Sequence, residues 1–221
     1  MTTIGFIGGT GPEGLGLAMR MAVAGHAIRV GSRRIERAED AATTVRDAVT
    51  TAGGSPDVSG ALNADVCAVA DLVVIVVPFD GHEATCIDLR DAIGAKLVID
   101  AAVPLTFNDG VPGVVDVPQG SATEQAQALL PDAPVVGAFH NLSAKKLQDL
   151  ATPMRGDVLV TSDDADAKQT VLDLVAQMKD LRGVDAGPLA ASKFVEDITA
   201  LLLGVNRRYK AQAAVQLVGL D

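Results

Sequence analysis

Gly9, Gly11 and Gly14 stand at G-x-G-x-x-G spacing inside Gly8-Gly9-Thr10-Gly11-Pro12-Glu13-Gly14, directly after the apolar run Ile4-Gly5-Phe6-Ile7. That spacing suits an anion. The first glycine permits a tight turn, the second lets backbone approach a pyrophosphate, and the third lets the next helix lie close to a sheet. The helix start then offers free N–H groups and a positive dipole end to the phosphates. Further on, Ser32-Arg33-Arg34 is followed by Arg37, one helical turn beyond Arg33. An NAD site carries an Asp or Glu here to accept hydrogen bonds from the ribose hydroxyls. A hydroxyl and guanidinium groups suit a 2′-phosphate instead, and Arg33 and Arg37 can face the same anion. A solvated basic turn is the poorer reading, because cations at a helix start oppose its dipole. The expected cofactor is NADP(H).

A glycine triplet by itself marks many ordinary turns. Its weight here comes from the elements around it. A strand to Gly8, the loop, a helix ending at Gly25, and a second strand from Ala27 to Gly31 follow in the order a dinucleotide fold needs. Strands and helices go on alternating. A helix is expected from Ile35 to Val49, a break at Gly53-Gly54-Ser55-Pro56, and a short helix from Asn63 to Ala70. Strands are expected at Leu72–Val77, Lys96–Ala101 and Pro134–Phe139, with Val114–Val117 as a further segment. A helix from Glu83 to Ile93 and another capped by Ser121, with Glu124 at capping-box spacing, lie between them. Such alternation predicts an α/β fold, a Rossmann-type doubly wound parallel sheet.

The pattern changes near Leu150. A strand at Asp157–Thr161, a helix from Ala167 to Lys179, and a long apolar helix from Leu189 to about Leu217 predict a small C-terminal α/β domain ending in a long helix. The expected division is 1–150 for NADP binding and 151–221 for the small domain. Asp163, Asp164 and Asp166 read as a cap and first helical turn rather than a metal site. Phe194, Val195, Ile198, Leu201, Leu202 and Val205 form a wide stripe that suits packing on the main domain or a second subunit, so a homodimer is expected.

In an open parallel sheet, ligands lie outside the carboxyl ends of the strands. Those ends include Val77-Pro78-Phe79, Ala101 to Pro104, and Phe139-His140-Asn141. Pro78 and Phe79 are then expected beside the nicotinamide. His140 has two open readings: a histidine bonded to backbone at a strand end, or one with a chemical role. His26 reads as a helix terminator. His82 lies near the cleft without an evident partner.

The net charge of −10 argues against nucleic acid, and it requires local basic patches wherever a polyanion binds. No apolar run approaches a membrane-spanning length. Cys67 and Cys86 make neither a disulfide framework nor a metal pattern, and they read as buried apolar fillers. With no targeting segment evident, a cytoplasmic location is expected.

The combination of Gly8–Gly14, Gly31-Ser32-Arg33-Arg34, Val77-Pro78-Phe79, Ala138-Phe139-His140 and Asp185-Ala186-Gly187-Pro188-Leu189 resembles the coenzyme F420-dependent NADP reductases, almost end to end. The resemblance implies hydride exchange between NADP(H) and the deazaflavin coenzyme F420. It implies that Thr10, Gly11, Pro12 and Glu13 hold the pyrophosphate side, and that Ser32, Arg33 and Arg37 hold the 2′-phosphate. It further implies that Phe79, Leu105 and Ala144 line the path of NADP. Phe139, His140, Asn141 and Leu142 would border the deazaflavin, with Ala190 to Lys193 closing its pocket. Position 79 is often a larger aromatic in the family, and position 141 is not always Asn.

Physical chemistry points the same way. Oxidising an alcohol requires a positioned general base, and the sequence offers no convincing constellation for one. Hydride exchange between two flat cofactors mainly requires that two carbons be stacked and aligned. The competing readings are an NADPH-dependent imine or β-hydroxyacid reductase, and a non-catalytic NADP(H)-binding sensor.

Overall fold

The computed structural model describes residues 1–220. Six strands form the central sheet: β1 (Thr3–Ile7), β2 (Ala27–Ser32), β3 (Val58–Leu62), β4 (Leu72–Ile75), β5 (Leu97–Asp100) and, after an inserted hairpin, β8 (Val135–Gly137). Their order is β3-β2-β1-β4-β5-β8, and every pairing is parallel. This is the doubly wound arrangement in which the chain reverses direction between β1 and β4 and leaves a crevice there.

Successive side chains on a strand point to opposite faces, and both faces are covered. Ile4, Phe6, Val74, Ile99 and Val136 point into one buried cluster, which takes in α1 (Pro12–Val23) and α2 (Ile35–Thr51). Ile7, Val73, Ile75, Val98 and Val135 point into the other, beneath α3 (Asn63–Val69), α4 (His82–Ile93) and α5 (Ala122–Leu129). Cys67 and Cys86 are fully buried in that second cluster, as the sequence suggested. The Ser121 side chain caps α5, accepting from the Glu124 N–H at 3.0 Å.

The inserted hairpin pairs β6 (Leu105–Asn108) with β7 (Val111–Val114), so the strand expected at Val114–Val117 lies earlier in the chain. Asp109 and Gly110 form the turn, with φ of 51° and 75°. Two positive φ values in a row make the turn that matches the twist of a two-residue hairpin, and Asp-Gly favours it.

Beyond β8, the short helix α6 (Ala144–Gln148) packs on α1 so closely that a Cβ on Gly16 would overlap the Leu147 side chain. Then β9 (Gly156–Val160), α7 (Ala165–Ala176) and β10 (Leu181–Asp185) form a parallel βαβ unit. Val158, Val160, Val171, Leu174 and Val175 from this unit join the same buried cluster as α1 and α2. Asp164 caps α7 by accepting from the Ala167 N–H at 2.8 Å, while Asp163 accepts from the Leu189 N–H at 2.9 Å. The acids at 163–166 therefore serve helix geometry, and no grouping suited to a metal ion occurs among the described residues.

The last helix is shorter than the sequence suggested. After a 3-10 turn at Leu189–Ala191, α8 spans Ser192–Tyr209 and stops at Lys210, which takes a left-handed conformation with φ of 50°. Side chains elsewhere hold the tail that follows. The Ala213 N–H donates to Asn206 Oδ1 at 2.6 Å, and the Leu217 N–H donates to Asp157 Oδ2 at 2.6 Å. Those tertiary bonds outweigh the helix propensity of Ala211 to Leu217. At its other end α8 is pinned by Glu196, whose carboxylate accepts from Ala122 N, Thr123 N and Thr123 Oγ1 at 2.9–3.1 Å.

A candidate cofactor cleft

The crevice at the carboxyl ends of the sheet strands holds a cleft of about 940 Å³. That is at the upper end of the roughly 300–1,000 Å³ usual for small-molecule sites. Its first wall is the turn after β1. Gly9 lies below the surface, where a Cβ would sit 2.7 Å from Phe6 Cβ. Gly14 is equally constrained, since its Cβ would fall 2.7 Å from Gly9 Cα. Gly11 faces open space, with nothing within 4 Å of a Cβ. The loop is therefore tight where it meets the sheet and open towards the cleft. Thr10, Gly11, Pro12 and Glu13 line it.

Ser32, Arg33 and Arg37 line the cleft at the end of β2. Ser32 is buried, and its Oγ accepts from the Arg34 N–H at 3.2 Å, which shapes the turn. Arg34 approaches Glu36 at 4.0 Å; Arg33 and Arg37 are exposed and make no ion pair among the described residues. Two cations thus project into an acidic protein's cleft without a protein counter-charge.

The middle of the cleft is set by β4 and β5. Val77, Pro78, Phe79 and Leu105 line it, whereas Pro104 lies behind, buried, with its carbonyl accepting from the Val115 N–H at 2.8 Å. Phe79 stacks on His82, with ring centroids 6.0 Å apart and planes at 21°. His82 does have partners, contrary to the sequence expectation. Its Nδ1 lies 2.9 Å from Gln125 Oε1 and its Nε2 lies 2.6 Å from Asp100 Oδ2, all of it buried. With Gln125 Oε1 and Asp100 Oδ2 both accepting, both ring nitrogens donate. Burial alone would favour neutral His82, but the Asp100 carboxylate outweighs it and holds the imidazolium well above its ordinary pKa. Asp100 Oδ1 accepts from the Ala102 N–H at 3.0 Å, fixing the turn on which Ala102 and Val103 reach the cleft.

His140, Asn141, Leu142 and Ala144 form the far wall, following Phe139 at φ of 72°. Both ring nitrogens of His140 are buried without a hydrogen-bond partner among the described residues, as is Asn141 Oδ1. Burial pushes His140 down to about 4, the Asp100 charge opposing and the His82 charge adding to that effect. His140 is neutral at ordinary pH, and its carbonyl accepts from Thr199 Oγ1 at 2.7 Å. The helix α8 reaches the cleft through Thr199, Leu202, Leu203 and Asn206, two to three turns beyond Ala190 to Lys193.

The protein profile for "NADP oxidoreductase coenzyme F420-dependent" matches residues 3–104. Among curated proteins, the chain is similar to the F420-dependent NADP reductase of Methanocaldococcus jannaschii, at 36% identity over 99% of each chain. It is also similar to the F420-dependent NADP reductase of Methanothermobacter thermautotrophicus, at 38% identity over 96% of this chain and 92% of that one. The chain belongs to the F420-dependent NADP reductase family. A crystal structure described as a putative F420-dependent NADP reductase from Arthrobacter sp. FB24 shares the fold, with a TM-score of 0.80 at 24% identity, covering 99% of this chain and all of that one.

As a member of that family, the chain brings together at one cleft nearly all the residues singled out from its sequence. Gly9, Pro104 and the fully buried Phe139 stand behind the surface. Sequence reasoning missed Asn63, Ser143 and Gln212, which also line the cleft, while Lys145, which the sequence offers with Lys146 as a candidate basic patch, lines it as well. Ser143 and Gln212 hydrogen-bond through their side chains. Asn63 starts α3 after the unexpected strand β3, and its Oδ1 is buried without a partner beside Gly31. The signal for Asn63 was present only in its position before a short helix.

Proposed function

We propose that this chain catalyses reversible hydride transfer between NADP(H) and coenzyme F420 in this cleft. The observation that carries the NADP(H) half is the pair Arg33 and Arg37, cations with no ion pair among the described residues, beside Ser32 at the end of β2. A 2′-phosphate supplies the missing counter-charge, through forked N–H donors that fit phosphate oxygens. Thr10 to Glu13 at the start of α1 take the pyrophosphate, and Val77, Pro78, Phe79 and Leu105 border the nicotinamide. His140, Asn141, Leu142 and Ala144 form the deazaflavin side.

The protein side fits two flat redox groups. Neutral His140 offers one N–H donor and one acceptor nitrogen, and Asn141 Oδ1 offers a second acceptor, to polar ring edges. The two cofactors supply the redox chemistry, and the protein supplies alignment and exclusion of water. His82 stays cationic and tied to Asp100 and Gln125 rather than acting as an alcohol-oxidising base. That supports this reading over a β-hydroxyacid reductase, and turnover separates it from a binding-only sensor. Mixing catalytic amounts of protein with NADPH and oxidised F420 should bleach the deazaflavin absorbance. Binding of both cofactors without bleaching would leave the sensor reading, and consumption of NADPH only with imines or hydroxyacid precursors would favour the other enzyme.

The proposal includes a homodimer. Phe194 and Leu201 on α8 are 70% and 66% exposed, as is much of Phe107 and Val111 on the hairpin that α8 contacts. A cytoplasmic location and no role with nucleic acid complete it, the latter supported by the net charge of −10. No helix among the described residues is long and apolar enough to cross a membrane.

A further inference from the structure

Glu13 places a carboxyl group in a loop shaped for a pyrophosphate. It occupies the first turn of α1, lines the cleft, and is only half-buried as a residue. Yet its Oε1 is fully buried and has no hydrogen-bond partner among the described residues. One carboxylate oxygen shut off from water without a donor in such a place keeps part of its desolvation cost. A dianionic ligand arriving beside it would add like-charge repulsion.

Resting on the NADP(H) reading above, we propose that Glu13 is a proton-linked gate on dinucleotide affinity. Only the protonated carboxyl is compatible with the bound pyrophosphate, so binding above neutral pH takes up a proton at Glu13. Burial pushes the Glu13 carboxyl up to about 8 even before a ligand arrives. The positive end of α1 favours the carboxylate, but no side chain reinforces it. Arg33, Arg34 and Arg37 on the β2–α2 turn, Lys145 on α6, Asp80 after β4 and His140 after β8 line the same cleft, and none hydrogen-bonds or ion-pairs with Glu13. The neighbouring contact from α6 is uncharged and goes to backbone: Gln148 Nε2 donates to the Pro12 carbonyl at 2.7 Å.

Linkage fixes the sign. The free protein loses the Glu13 proton as pH rises through about 8, while the complex retains it to higher pH. Affinity is therefore flat below that value and falls towards about tenfold per pH unit above it. Glu13→Gln mimics the protonated carboxyl and removes the effect.

The test is NADPH binding, followed by nicotinamide fluorescence from pH 7 to 9.5 at fixed ionic strength, for the native protein and E13Q. The expected result is a dissociation constant that rises with pH for the native protein, and one within about twofold across the range for E13Q. Calorimetry of the native protein at pH 8.5, in buffers of different ionisation enthalpy, checks the same claim without a variant. It should show a substantial fraction of one proton taken up per NADPH bound. Parallel pH curves for the two proteins, or no proton uptake, would overturn the Glu13 gate while leaving the NADP(H) site intact. Failure of the native protein to bind NADPH at any pH would overturn both.

Discussion

Arg33 and Arg37 matter because no ion pair among the described residues neutralises them, whereas Arg34 has Glu36, Arg29 has Asp57 and Arg182 has Asp157 within ion-pair distance. Replacing Arg33 with Ala should weaken NADPH by about 1–3 kcal/mol, roughly 5- to 150-fold, the range for a lost hydrogen bond to a charged group. NADH, which lacks the 2′-phosphate, should change little; competition titrations with both cofactors check this. The two cleft histidines should behave in opposite ways. Nitrogen-15 NMR should find His82 doubly protonated throughout neutral pH, because Asp100 and Gln125 both accept from it, and His140 neutral until the pH falls towards about 4. The glycines, Ser32 and the arginines were legible in the sequence because spacing alone defines what they do. The partners of His82 were not, since Asp100 and Gln125 lie 18 and 43 residues away and meet it only across the folded sheet.

Among the elements, the strands buried on both faces were legible as short apolar runs between breakers, and their ends put most of the site in place. β3 was not: Val58-Ser59-Gly60-Ala61-Leu62 has weak strand character and earns its pairing by lying at the edge beside β2. The end of α8 was overestimated because its sequence stays favourable to helix well past Tyr209. What stops it lies in β9 and β10. Arg182 grips Asp157 through two bonds of 2.9 and 2.8 Å and donates to the Leu217 and Leu220 carbonyls, while Asp157 also accepts from the Leu217 N–H. The Arg182 guanidinium holds the Asp157 carboxyl below the usual carboxylate range, despite the opposing cost of burial. Replacing Asp157 with Asn should destabilise the fold by about 1–3 kcal/mol at neutral pH. A depressed carboxyl contributes stability above its unfolded pKa and loses it as pH falls through the folded value. Denaturation of both proteins should therefore show their difference shrinking below about pH 4.

At the scale of the whole molecule, the small βαβ unit and the Rossmann sheet share one buried cluster, and α8 spans from Glu196 at the start of α5 to Asn206 at the mouth of the cleft. The alternation of strands and helices made the parallel sheet legible from the chain. How the C-terminal part returns to the cleft was not, because that depends on contacts such as Thr199 with His140, 59 residues apart. The exposed Phe194 and Leu201 should be covered in a dimer. Sedimentation of the native chain should show two copies, and a charged substitution at Leu201 should shift it towards one.

The decisive measurement is the ratio of kcat/KM for NADPH over NADH, with oxidised F420 as hydride acceptor and loss of its absorbance as the readout. Two charge-assisted contacts to a 2′-phosphate predict a preference for NADPH on the order of a hundredfold or more. Equal rates with the two cofactors, or faster reduction by NADH, would contradict the assignment of the cations at the end of β2.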